Sequence, residues 1–282
     1  MQDILKLIKD HKSIAMLAPT FPIDFRYPAI IGMLRSLGFD KVSELTFGAK
    51  VVNQHYIEYI KSHPSQKYFI STPCPIITET IKNKYPDLVQ YLIPVVSPMI
   101  ATAKIYRKHH PDDKIFFISP CLAKQTIEAQ KYSQYIDGVI TFDELRKIFA
   151  NNNIIESDFN RSYLFDSYIQ EFTKIYPISG GLAATSHIQK LFKPDEIAII
   201  DGIDNLKIEF DLMKSEKNKH RFFDVLSCPG GCIGGPAICN HSLAIGKKKE
   251  LIEKYIKQSS GHKLGSRLED VSHTKDINFF NY

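Results

Sequence analysis

The chain has 282 residues, of which 44% are hydrophobic and 24% are charged, and it contains five cysteines and no tryptophan. This composition excludes a disordered or fibrous protein, and the length suffices for one large domain or two lobes. The formal net charge of +5 is spread along the sequence without a basic stripe carrying interleaved aromatic residues, so we expect no nucleic-acid partner.

The N-terminal segment from Gln2 to Lys9 is predicted to be an amphipathic helix, because charges interrupt each apolar pair and leave no signal-peptide core. The most apolar stretch, Leu88 to Ala103, contains two prolines and is too short to span a bilayer. We therefore expect a cytoplasmic protein with no membrane partner. In that compartment, five cysteines favour metal ligation or reactive thiols over a disulfide framework.

Predicted strands and helices alternate along the rest of the chain. The strands are expected at 13–17, 41–45, 67–71, 114–118, 138–141, 196–201 and 222–226. The helices are expected at 29–37, 48–62, 76–84, from about 98 through 109, directly after 141, and at 181–191, 204–214 and 247–256. This alternation predicts an α/β fold with two lobes of mainly parallel twisted sheet flanked by helices.

The segment from Asn151 to Asp166 is polar and irregular, which predicts a boundary inside an otherwise single domain. We expect residues 1–282 to form that domain, with approximate lobes at 1–150 and 151–282.

Four of the five cysteines lie in loops that follow predicted strands. Cys74 follows strand 67–71, Cys121 follows strand 114–118, and Cys228 and Cys232 follow strand 222–226 in a segment rich in glycine and proline. Glycine lets a bulky group approach the backbone closely, and proline prevents a helix or central strand from continuing. The pattern predicts a turn folded around a metal cluster; the alternative is a surface turn with incidental cysteines.

Four thiolates suit either a tetrahedral zinc ion or a 4Fe-4S cubane. Structural zinc sites usually take their ligands from close pairs, whereas Cys74 and Cys121 are each isolated in the sequence. The spacing therefore favours a cluster assembled by the whole fold, and a zinc-stabilised α/β protein is the less favoured alternative.

Three segments in the same order resemble the motifs of the catalytic domain of FeFe-hydrogenases. They are 74–75, 120–124 and 228–232, which read Cys-Pro, Pro-Cys-Leu-Ala-Lys and Cys-Pro-Gly-Gly-Cys. The resemblance extends over nearly the whole chain. It implies two lobes that enclose an H-cluster, which is a 4Fe-4S cubane joined through one cysteine to a di-iron unit with carbonyl, cyanide and dithiolate ligands.

The resemblance also implies residue roles. The cubane ligands are implied to be Cys74, Cys121, Cys228 and Cys232. Cys232 would also bridge to the di-iron unit, and Lys124 would donate to a cyanide ligand, which makes these two the implied catalytic residues. The other positions implied to surround the cofactor are Ala18, Pro19, Thr20, Pro73, Ser97, Pro98, Met99, Ser119, Gly180 and Leu226.

The chain departs from the hydrogen-producing members at several of these positions. Pro73 stands where those members have a proton-relaying cysteine, and general acid–base help of this kind is typically worth about 10²- to 10⁴-fold in rate. Ser119 and Leu226 replace methionines, Met99 replaces a glutamine, and the acidic residue after Lys124 is displaced by one position, to Glu128. These departures resemble the sensory branch of the family.

We therefore expect an H-cluster-binding, FeFe-hydrogenase-type oxidoreductase that reacts with dihydrogen and protons weakly or as a sensor. Electrons are expected from an external ferredoxin or another electron-carrier protein, with a signalling partner in a sensory role. The alternative is a 4Fe-4S-only electron-transfer or scaffold protein, but the presence of Lys124 and of the loop 18–20 favours the first. The fifth thiol, Cys239, is expected to be a packing residue.

Overall fold

The structure is a computed structural model that describes residues 2–166, 171–215, 217–260 and 271–281. Its first sheet has four parallel strands in the order β2-β1-β4-β5 and its second has three in the order β3-β7-β6. The strands are β1 Ser13–Leu17, β2 Lys41–Glu44, β3 Phe69–Ile70, β4 Lys114–Ser119, β5 Gly138–Thr141, β6 Ile197–Asp201 and β7 Phe222–Leu226. The predicted α/β class with parallel sheets is confirmed.

Helices flank both sheets. They are α1 Gln2–Asp10, α2 Ala29–Ser36, α3 Thr46–Ser62, α4 Pro75–Lys84, α5 Pro98–His109, α6 Ala129–Lys131, α7 Phe142–Asn151, α8 Gly181–Thr185, α9 Ile203–Lys214 and α10 Ile245–Ser259. Both α4 and α5 begin at a proline, which is well placed there because its missing N–H would have no partner in the first turn. Within the described residues, no helix has both the length and the apolar character needed to cross a membrane.

Each sheet has an internal strand that is buried along all five of its residues, β1 in the first sheet and β7 in the second. Parallel strands covered on both faces have this continuous burial. In the first sheet, Leu17 at the end of β1 lies level with Ile118 of β4, and the amide of Ala18 continues the ladder by donating to the Ile118 carbonyl at 3.0 Å. The loops after β1 and β4 therefore leave the sheet side by side.

The second sheet takes strands from both sides of residue 150, because Phe69 of β3 pairs with Phe222 of β7. The division into lobes 1–150 and 151–282 stays a prediction about domains, and the strand pairing does not follow it.

One predicted helix is shorter in the structure. The helix expected over 181–191 ends at Thr185, and His187 then takes a left-handed conformation with φ of 58°. A residue in that region cannot continue an α-helix, so the chain resumes only as the short 3₁₀ turn Ile188–Lys190.

Candidate metal centre

The loops carrying the four predicted thiols converge at the carboxyl ends of the strands. The Ser227 hydroxyl lies 3.3 Å from the Cys74 sulfur and 3.8 Å from the Cys228 sulfur. Cys74 follows β3 and Cys228 follows β7, and these strands are neighbours in the second sheet. Adjacent parallel strands thus bring together two cysteines that are distant in the sequence.

Electrostatic coupling joins the other two thiols to this pair. Burial raises the pKa of Cys232 well above its ordinary value, and the charges of Cys121, Cys74 and Cys228 raise it further. Burial likewise raises the pKa of Cys121, and it raises the pKa of Cys228 to about 11. These three shifts favour the neutral thiols, and metal coordination supplies the positive centre that converts such thiols to thiolates.

The arrangement does not match a preformed site for one ion. Among the described residues, no group of three or more histidines, cysteines or acids is placed to hold a single metal ion. Zinc needs its ligands about 2.0–2.3 Å from one point, whereas the four ligands of a cubane bind four different irons and stand farther apart. The zinc alternative therefore gains no support from the geometry.

A cavity adjoins Cys121 and Cys232. The volume open to the centres of water molecules is about 80 Å³, several times the roughly 10–15 Å³ that one water needs. Nine further predicted site residues line it: Ala18, Pro19, Thr20, Pro73, Pro98, Met99, Ser119, Lys124 and Leu226. The structure thus brings most of the predicted set together.

The hydroxyl of Thr20 is an unsatisfied polar group in this wall. Thr20 is 0% exposed, and its Oγ1 has no hydrogen-bond partner among the described residues. An unpaired buried hydroxyl destabilises the folded protein by about 1–3 kcal/mol. A ligand that accepts a hydrogen bond from Thr20 would remove this cost. A cubane and a polar di-iron unit with cyanide ligands fit this donor set.

Lys124 brings a buried positive charge to the same place. Its ammonium donates to the Pro73 carbonyl at 2.9 Å and contacts the carboxylate of Glu128, and the two side chains are 12% and 10% exposed. Residues Lys124–Glu128 form a π-helical turn in which the Ala129 amide bonds back to the Lys124 carbonyl. This turn holds one residue more than an α-helical turn. The i,i+4 spacing of the pair places the displaced acid beside the lysine.

The remaining wall is mostly apolar. The Ser119 hydroxyl accepts from the Cys121 amide at 3.0 Å, so it is engaged with the backbone rather than with the cavity. Met99 and Leu226 are buried, and the rings of Pro73 and Pro98 complete this side. Such a wall offers few hydrogen-bonding groups to water on this side of the cavity.

Two predicted residues are not part of this lining. Ser97 accepts from the Ile100 amide at the start of α5 and faces an adjacent groove. Gly180 has a φ of 82° before α8, and a Cβ there would stand 3.1 Å from the side chain of Ile199. Cys239 also lies elsewhere, packed against the main core with its amide bonded to Asp24.

Two side chains at the site were not predicted from the sequence. Ser227 contacts Cys74 and Cys228. Its place directly before the predicted ligand Cys228 was the only sequence feature that could have indicated a role at the site. Tyr176 lines the cavity and lies three residues before the predicted cap Ser179-Gly180-Gly181, with no feature of its own to mark it.

Known proteins resemble this chain in sequence and in fold. Iron hydrogenase 1 of Clostridium pasteurianum is 25% identical over 72% of this chain, and the match spans 44% of that relative's length. A variant of FeFe-hydrogenase HydA1 from Chlamydomonas reinhardtii superposes with a TM-score of 0.73 at 17% identity, covering 100% of this chain and 98% of that one. A structure of HydA(deltaEFG), described as revealing stepwise H-cluster assembly, gives a TM-score of 0.71 at 19% identity over 89% of this chain and 87% of the other.

The family model for the C-terminal domain of the iron-only hydrogenase large subunit matches residues 11–236. That match contains all four converging cysteines, the loop 18–20 and Lys124. The chain belongs to this family, the C-terminal domains of iron-only hydrogenase large subunits.

Proposed function

We propose that the chain binds a 4Fe-4S cubane through Cys74, Cys121, Cys228 and Cys232 and holds the di-iron unit of an H-cluster in the adjoining cavity. The observation that carries this proposal is the buried, unpartnered Thr20 hydroxyl in a cavity bordered by two of the thiols. A di-iron unit would bring cyanide acceptors into that cavity, whereas a cubane alone has no cyanide for Thr20 to contact.

When bound, the H-cluster supplies the iron centre at which dihydrogen is formed or split. The four thiolates would hold the cubane, and Cys232 would also contact the di-iron unit. Thr20 and Lys124 would donate hydrogen bonds to that unit from the cavity wall, where a charged donor is worth more than in water. The apolar residues Met99 and Leu226 keep water out.

The protein lacks an ionisable side chain at position 73 to deliver protons to the cofactor, and this supports a sensory role. Pro73 lines the cavity and has no ionisable group, so a relay from its side chain is impossible. Its carbonyl instead accepts from Lys124. We therefore place the chain in the sensory branch, with slow turnover and a signalling partner that responds to the state of the cofactor.

Electron exchange is proposed to occur at the cubane itself. Leu122 beside Cys121 is 47% exposed and Ile76 near Cys74 is 36% exposed, so apolar surface lies next to two of the ligands. Such surface suits a transient contact with a ferredoxin or another electron-carrier protein. We propose a cytoplasmic location, where such carriers and reduced thiols coexist.

One observation favours a second candidate, a protein that carries only the cubane. The Lys124 ammonium already has Glu128 and the Pro73 carbonyl as partners, so it does not require a cyanide ligand. This candidate predicts electron transfer or a scaffold role without reaction with dihydrogen.

Infrared spectroscopy of protein matured with the di-iron unit separates the two candidates. We expect carbonyl and cyanide bands together with iron beyond the four of the cubane. Four irons per chain without those bands would overturn the di-iron proposal and leave the cubane-only protein. A Thr20→Val variant, which keeps the shape of the side chain, should retain the four irons and shift the cyanide bands.

A further inference from the structure

We propose that Tyr176 is a cofactor-binding residue whose phenol hydroxyl donates a hydrogen bond to the group held in the cavity beside Cys232. This inference rests on the proposed function, because it needs an acceptor that the protein itself does not provide. It begins from two independent facts: Tyr176 lines the cavity, and its hydroxyl oxygen is buried without a hydrogen-bond partner among the described residues.

The surroundings of the hydroxyl place it near the metal centre. Burial raises the pKa of Tyr176 well above its ordinary value, and the charges of Tyr56, Asp224 and Cys232 raise it further. Cys232 is the one of the four thiols named among these influences, and it lines the same cavity as Tyr176.

The neighbouring polar groups do not serve as its partner. The Tyr56 hydroxyl accepts from the Thr72 amide at 2.6 Å and lies 2.9 Å from the Thr72 hydroxyl. The Asp224 carboxylate accepts from the Ala183 amide at 2.9 Å. Neither group is a hydrogen-bond partner of the Tyr176 hydroxyl, which therefore stays an unpaired donor among the described residues.

The backbone fixes Tyr176 relative to Cys232. The next carbonyl along, that of Pro177, accepts from the Cys232 amide at 2.7 Å, and the Ser179 amide donates to the Gly230 carbonyl at 3.0 Å. Gly231 is required for this contact, since a Cβ there would stand 2.6 Å from the Pro177 carbonyl oxygen. A donor held this firmly is preorganised for one acceptor position.

The chain offers a matched control. Tyr68 is also buried with an unpartnered hydroxyl, but it packs in the second core and does not line the cavity. Removing an unpaired buried hydroxyl is neutral or stabilising, whereas removing one that bonds to a ligand is destabilising. Tyr176→Phe and Tyr68→Phe should therefore diverge only when the acceptor is present.

The test compares each variant with the unaltered protein in two states, one carrying the cubane alone and one matured with the di-iron unit. With the cubane alone, neither variant should lower the melting temperature. In the matured state, Tyr176→Phe should lower it by about 2–4 °C, the shift that the loss of one hydrogen bond gives in a chain of this size. The same variant should shift at least one carbonyl or cyanide band, and Tyr68→Phe should shift none.

The possible failures are distinguishable. Absence of carbonyl and cyanide bands from the unaltered matured protein would overturn the proposed function and this inference with it. Bands that are present but identical in Tyr176→Phe, with no difference in melting temperature, would overturn the inference alone. An equal loss of stability in both states would also overturn it, since the hydroxyl would then have a protein partner.

Discussion

The metal centre has a thiol side, formed by Cys74, Cys228 and Ser227, and a cavity side, formed by the lining of the cavity beside Cys121 and Cys232. The two sides differ in whether their polar groups have hydrogen-bond partners. On the thiol side, the Ser227 hydroxyl contacts two of the cysteine sulfurs, and burial together with the charges of Cys74 and Cys121 raises the pKa of Cys228 to about 11. On the cavity side, the hydroxyls of Thr20 and Tyr176 have no partner among the described residues. The described part of the protein therefore provides contacts for the thiol side but no partner for these two cavity hydroxyls.

Loss of a thiol ligand should have the largest effect. Cys74→Ala removes one of the four proposed ligands, and we expect the chain to lose its cubane, because three thiolates leave one iron without a protein ligand. Iron content and the visible absorption of the cluster measure this. Cys239→Ala is the matched control, since Cys239 lies away from the centre, and it should retain all its iron. Equal iron loss in both variants would contradict the assignment.

Restoring a proton carrier should have the next largest effect. Pro73→Cys places a thiol on the cavity wall and keeps the backbone carbonyl that accepts from Lys124. We expect proton reduction by the matured protein to rise by up to about 10²- to 10⁴-fold, the usual value of a positioned acid–base group. Hydrogen production with a chemical reductant measures the rate. Pro73→Ser, with a hydroxyl that does not ionise in this range, should give no such rise.

Breaking the buried ion pair should be the next most damaging change. Lys124→Met leaves the Glu128 carboxylate buried without its cation, which typically costs about 3–5 kcal/mol. Lys147→Met breaks a pair of the same sequence spacing with Asp143, but both of those side chains are more than half exposed, so the cost should stay within about 0.5 kcal/mol. Denaturant unfolding of the cubane-loaded protein measures both. Similar costs would show that the cavity side lacks a buried charge pair.

The smallest effect should come from a buried acid beside the cavity hydroxyls. Burial raises the pKa of Asp224 from 3.8 to about 6, so the folded state holds this proton more tightly than the unfolded state. Its contribution to stability is therefore full below about pH 4 and is lost as the pH rises through 6. Two pKa units correspond to about 3 kcal/mol, an upper figure for this buried group.

Asp224→Asn should remove that loss of stability between pH 5 and pH 7.5, because the amide keeps an oxygen acceptor for the Ala183 amide and does not titrate. The free energy of unfolding at the two pH values measures it. Asp204→Asn is the exposed control, since the pKa of Asp204 is lowered by its bond to Lys207 and the residue stays ionised at both values. A pH profile unchanged by Asp224→Asn would contradict the assignment.

The two sides also differ in how well the sequence predicts them. The strand–helix alternation predicted the α/β class, and the strands 13–17, 138–141 and 222–226 have the predicted bounds. The thiol side was predictable because cysteines after strand ends are rare and specific. The cavity wall was predictable only through the family resemblance, since prolines, alanines and leucines mark no chemistry of their own. Tyr176 was missed for the same reason.

Other features depended on distant contacts. The pairing of β3 with β7 joins strands about 150 residues apart, and local patterns contain no information about such a partner. The early end of α8 depends on the left-handed conformation of His187, which propensity alone does not indicate.

The π-helical turn at Lys124–Glu128 has a consequence for how related sequences are compared. The resemblance to the family motif implies that the acid lies one position later in this chain, and the Glu128 carboxylate still meets the Lys124 ammonium. A pattern search that requires one fixed interval between the lysine and the acid would score this chain as lacking the acid, although the pair exists in three dimensions. Alignments in this segment should therefore allow a gap of one position inside the helix.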